Sequence, residues 1–146
     1  DPLWSRGLGD VYKRQEYNDG TIQFETTQWS QGYYDNGKIW QTFTLPEGKY
    51  EMRIEVKNAA NIGSGSTNIH FAVAQGESLP DNEELEKSDI ILSYLKFESE
   101  HTNKTSALPI FELTEEKTIT VGWVVSFSDI CRNIEFKSVR LWSVAE

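Results

Sequence analysis

The chain has 146 residues, 38% hydrophobic and 12% aromatic, which suits one globular domain with a real core and leaves little room for two. Net charge is −9; the first fifteen residues hold three basic and two acidic groups, so 11 basic face 21 acidic in the remainder, and such a surface repels nucleic-acid phosphates and anionic membranes. A single cysteine, Cys131, excludes an internal disulfide and a cysteine-based metal site, and no apolar run reaches the roughly 18 residues of a membrane span.

Residues 1–15, DPLWSRGLGDVYKRQ, show neither helical nor strand periodicity and no capping pattern. Gly7 and Gly9 lack the preceding strand and the third glycine of a dinucleotide-binding loop. Ser5 through Gln15 is identical to one reading frame of the transposon adapter used to tag fragments for short-read sequencing, so residues 1–15 resemble a translated adapter. The native domain is then expected over 16–146, as the C-terminal part of a longer multidomain protein whose start and any signal peptide lie upstream.

From residue 16 onward the pattern is strands and turns. TIQFETTQW (21–29) comes first, then IWQTFTL (39–45) and YEMRIEVK (50–57). In the last, Tyr50, Met52, Ile54 and Val56 alternate with charges, so one face packs and the other meets water. Pro46-Glu47-Gly48 between these two runs reads as a tight turn, which predicts a hairpin. TNIHFAVAQ (67–75) follows. DNEELEKS (81–88) is the one helical stretch, with Glu83 and Glu84 near its start and Lys87 near its end to match the helix dipole. IILSYLKFE (90–98), ALPIFEL (107–113) and KTITVGWVVSF (117–127) complete the series with NIEFKSVRLWSV (133–144). In that last run Ile134 and Phe136 are out of phase with Val139 and Leu141, which predicts a bulge near Lys137 and Ser138. About eight short strands with one short helix predict an all-β antiparallel sandwich, each strand having one wet face.

Few residues carry recognisable chemistry. His70 reads as a polar or partly covered surface residue and His101 lies in a polar loop, neither at metal-ligand spacing with a second histidine. No Gly-x-Ser-x-Gly elbow is present, and Glu83, Glu84 and Glu86 read as a solvated helix face rather than a catalytic pair. No catalytic residue set and no cofactor are expected. A structural calcium is the one metal left open, through Asp19, Asp35, Asn36 and Asp129.

The aromatics say more. Trp29, Tyr33, Tyr34 and Trp40 cluster in QWSQGYYDNGKIW around the Asn36-Gly37 turn. Trp40 shares its strand face with Thr42 and Thr44, and a Trp on the polar side near a Tyr-rich loop can stack on the apolar face of a sugar. Trp29, Tyr33 and Tyr34 are the chief candidate platforms, with Asp35, Asn36 and Asn61 as polar contacts. The competing reading packs Trp29 and Trp40 under adjoining loops as a secondary core; Trp123 is expected in the main core.

Residues 38–146 carry a series of phrases: GKIWQTFTLPEGKYEMRIEV, FAVAQGESLPDNEELEKS, FELTEEKTITVGWVVSFSD and IEFKSVRLWSV. Together they resemble the C-terminal domains of unknown function of Bacteroidetes surface lipoproteins from glycan-utilisation systems. The resemblance implies a galactose-binding-domain-like, jelly-roll β-sandwich and a non-catalytic accessory module. Its partner is a glycan, bound by loops at one end, or a neighbouring domain of the same polypeptide. It also implies an extracytoplasmic place, on the outer-membrane surface or in the periplasm, without membrane insertion of this segment. A structural spacer or docking domain with no ligand of its own remains the second reading.

Overall fold

The computed structural model describes residues 22–24, 35–59, 67–126 and 134–144. Among these lie nine strands: β1 (Ile22–Phe24), β2 (Gly37–Leu45), β3 (Gly48–Asn58), β4 (Asn68–Gln75), β5 (Ile91–Lys96), β6 (Thr105–Ala107), β7 (Phe111–Leu113), β8 (Lys117–Ser126) and β9 (Ile134–Ser143). A single-turn helix, α1 (Asn82–Leu85), lies between β4 and β5. Every strand pairing is antiparallel. The first sheet runs β1-β9-β3-β6, with β7 also on β3; the second runs β2-β8-β4-β5. This is the expected all-β sandwich.

The core lies between the sheets and follows from strand periodicity. Met52, Ile54 and Val56 of β3 face Ile69, Phe71 and Val73 of β4 and Val121, Trp123 and Val125 of β8 in one buried cluster. At its centre Trp123 meets Phe71 edge-on at 4.9 Å between ring centroids, and Phe136 at 5.3 Å. The bulge in β9 is present: Glu55 pairs with Ser138 but Val56 pairs with Phe136, leaving Lys137 as the extra residue. Lys57 is then extra on β3, because Asn58 pairs with Glu135. The slip restores phase, so Ile134, Phe136 and Val139 all turn inward.

Two expectations fail. β2 and β3 do not form a hairpin, because they belong to different sheets. A two-residue hairpin needs positive φ at its central positions; here Pro46 opens the connection and the positive φ falls at Gly48, +154°, the first residue of β3. The chain therefore turns a corner from one sheet to the other, pinned by buried Leu45 and by the Tyr50 hydroxyl donating to the Pro46 carbonyl at 2.8 Å.

Nor does each strand keep a wet face. Residues 69–74 of β4 and 119–125 of β8 are buried on both sides. The segment between β4 and β5 crosses the outer face of the second sheet, where Leu79 and Leu85 pack on Ala72, Ala74 and Val124 in a second apolar cluster. His70 apart, the outward residues of β4 and β8 under the cover are small or uncharged, so a cover can settle on them at little desolvation cost.

Candidate functional site

The cover is fastened by polar side chains at one end of the second sheet. Asn82, on the first turn of α1, is the hub. Its backbone N–H donates to Asn36 Oδ1 at 2.7 Å, and its side-chain nitrogen donates to Ser126 Oγ at 2.8 Å and to the Asn68 carbonyl at 3.1 Å. Its Oδ1 lies 2.8 Å from His70 Nδ1. With both amide hydrogens spent on acceptors, Oδ1 must accept, so His70 Nδ1 carries a hydrogen. The other ring nitrogen lies 2.7 Å from Glu86 Oε2. Glu86 is held below the ordinary carboxylate range, first by that hydrogen bond and then by the charges of His70 and Lys96, against the opposing pull of burial.

His70 is only 1% exposed. This corrects the surface reading: the alternation rightly set His70 apart from Ile69, Phe71 and Val73, but the face it shares with Ala72 and Ala74 is roofed by the helix segment. Glu86 is likewise part of a fastening rather than a wholly solvated face. Ser126 Oγ accepts from the Asn36 N–H at 3.0 Å and from Asn82. The cluster is thus a staple whose members are spent on one another.

Beside the staple lies an open surface on edge strand β2. Asn36 adopts φ +53°, the left-handed conformation asparagine tolerates, and turns the chain into the strand. Its side-chain nitrogen donates to Glu83 Oε2 at 3.2 Å, and Lys38 pairs with Asp81 at 2.8 Å. Two residues further on the same outward face stands Trp40, 55% exposed. Opposite it is Gly122. There an added Cβ would run into the Ile39 carbonyl and come within 2.7 Å of Trp40 Cα, so the close approach of the strands requires glycine. Thr42 continues the face and its hydroxyl meets that of Thr120 at 2.8 Å.

Of the sequence-predicted contacts, Asp35 and Asn36 are brought to this surface. Asp35 is exposed, whereas the Asn36 amide is engaged within the chain. Trp29, Tyr33, Tyr34 and Asn61 lie outside the described residues, as do Asp19 and Asp129. Among the described residues no group of three or more His, Cys, Asp or Glu is placed to hold a metal ion. Trp40 is not the secondary-core residue that one reading made it: it faces solvent. The pairings of Lys38 with Asp81 and of Asn36 with Glu83 escaped the sequence reading, since no local pattern links position 38 to 81 or 36 to 83. Only the polar identity of Lys38 at the start of an alternating strand hinted at it.

A family comparison covers most of this architecture. The model of a domain of unknown function, DUF5013, matches residues 6–122. The chain belongs to the DUF5013 family. The matched span of the DUF5013 domain ends within β8, yet β9 pairs with β3 over most of its length, so the folded unit extends beyond it. No curated protein matches the chain.

Proposed function

We propose that this DUF5013 domain is a non-catalytic accessory module of an extracytoplasmic bacterial protein and binds carbohydrate at the end of the sandwich where β2 begins. The observation that carries this reading is Trp40. An indole more than half exposed on an edge strand offers a ring face to a ligand. It lies in line with Lys38 and Thr42 on one strand face, with Asp81 at Lys38 and Asp35 and Glu83 at Asn36, which supply donors and acceptors for hydroxyl groups. Stacking of a pyranose C–H face on the indole with polar groups at its rim is how such a surface gains both affinity and orientation. The staple at the start of β2 holds Asn36 in place before a ligand arrives, which lowers the entropy lost on binding.

Affinity gel electrophoresis of the full chain in a panel of neutral bacterial, plant and host polysaccharides tests this. At least one polymer should retard the wild type, with mobility restored in Trp40→Ala; unretarded migration in every polymer sinks the reading. Localisation follows from fractionation of the native host protein.

A docking role has one observation of its own. Ile90 and Ile110 are exposed on the side where β5 meets the segment before β7, joined there by the Ser93 hydroxyl donating to the Pro109 carbonyl. A neighbouring domain of the same polypeptide would cover that pair.

A further inference from the structure

On the outer face of the first sheet cations alternate with acids: Arg53 pairs with Glu51, Lys57 with Glu135 and Lys137 with Glu55, and Arg140 stands among them. Arg53 of β3 and Arg140 of β9 stand directly opposite each other, although like charges opposed across a strand pair are unfavourable. Arg53 also pairs with Glu51 at 2.6 Å and lies over the ring of Trp142 at 5.9 Å from its centroid. Arg140 is exposed and forms no ion pair among the described residues. Trp142 is 46% exposed and sits across from Glu51, one step along the same face. Four residues further along β3, about 13 Å at the strand rise of about 3.3 Å per residue, the paired irregularities open a polar hollow of about 170 Å³. Lys57, Lys104 and Lys137 line it with Glu55, Asn103 and Thr105. The bulge that restores the core's phase is therefore also what places Lys137 at this hollow.

We propose that this face binds a linear acidic polysaccharide, a polyuronate. One ring lies on Trp142, its carboxylate meets Arg140 and Arg53, and a later carboxylate along the polymer meets the lysines of the hollow. A guanidinium fork matches a carboxylate in two parallel hydrogen bonds, and Arg140 is the arginine of this face that has no ion pair among the described residues. Charge spacing selects the ligand class. Glu51, Glu55 and Glu135 are interleaved with the cations, and the chain carries −9 overall. That arrangement opposes a polyanion the more, the more densely it is charged, so a polymer with one carboxylate per sugar ring is opposed less than a phosphate or sulfate polymer. The site lies on the opposite sheet from Trp40 and does not depend on carbohydrate binding there.

Retention of the full chain in gels containing polygalacturonate or alginate is the test, with titration calorimetry for affinity. Retention should weaken with added sodium chloride and should vanish when the polygalacturonate is methyl-esterified, an arm that needs no variant. Arg140→Gln should weaken affinity about tenfold or more, the loss expected for a charge-assisted contact, and Trp142→Ala should also weaken it. Lys87→Gln removes the same charge from the turn after α1 on the other sheet and should leave retention unchanged. The proposal falls if neither acidic polymer is retained, if the methyl ester binds as well, or if Arg140→Gln binds as tightly as the wild type. It also falls if heparin or duplex DNA binds more tightly than the uronate polymers. Neutral polysaccharides report on Trp40 separately, so failure of one surface is distinguishable from failure of the other.

Discussion

The two sheets share one core but treat their outer faces oppositely. On the first, β3 sends Glu51, Arg53 and Glu55 to water, and β9 answers with Arg140 and Trp142. On the second, β4 and β8 present His70, Ala72, Ala74, Thr120, Gly122 and Val124, and a folded segment closes over them. The difference is one of desolvation: charged side chains resist a cover, while alanine, glycine and valine lose little by accepting one. The buried polar residues on this face had to be given partners for the roof to close: His70 meets Asn82 and Glu86, and Thr120 meets Thr42 and the Gly76 carbonyl.

That contrast can be broken experimentally, and the largest effect belongs to the core both sheets share. Trp123→Ala removes a side chain with 0% exposure and two ring partners, and should cost about 3–5 kcal/mol. Urea denaturation with a native-like circular dichroism spectrum for the variant checks this; a loss under about 1 kcal/mol would mean the site collapses around the cavity. Next comes the roof. Asn82→Ala strands His70, Ser126 and the Asn68 carbonyl, and should cost about 1–3 kcal/mol. Hydrogen exchange should show faster opening at 81–88 than in β8, localising the damage to the cover.

Smaller still is a pH effect at the same staple. Because the folded-state pKa of Glu86 is lowered, its contribution is present above the unfolded carboxylate value and is lost as pH falls through the folded one. Thermal melts should therefore show a shallower acid-side decline in Glu86→Gln than in wild type. Its side chain is about half exposed, so solvent screening keeps the difference modest. Identical acid limbs would remove the His70–Glu86 contact from the account of the roof. The smallest expected effect is on the open faces: Trp40→Ala and Arg53→Gln should each change stability by no more than about 0.5 kcal/mol. A large loss in Arg53→Gln would show that the charged face is structural, and the contrast between the sheets would lose its basis.

Much of this was legible in the chain. Alternation in β3 assigned every inward residue, and the phase slip between Phe136 and Val139 announced the bulge at Lys137, because a strand cannot keep both residues inward without an extra one between. The connection at 46–48 misled because Pro and Gly at those offsets serve a turn and a corner equally well. Which one forms depends on whether β2 finds its partner in β3 or in β8, seventy or more residues away in the chain. The site was legible only in part. Asp35 and Asn36 were read correctly as belonging near a surface turn, but the Asn36 amide is committed to Asn82 and Glu83, residues that no local spacing connects to it.

The sequence by itself determined fold class, strand spacing and the inward set of the core, since these rest on local periodicity and composition. The tertiary structure alone decided which strands pair, that residues 76–90 roof one sheet and leave the other open, and that Arg53 and Arg140 share a row. Those outcomes depend on contacts between residues far apart in the chain, where the choice is made by the burial and charge of whole faces rather than by any residue's own preference.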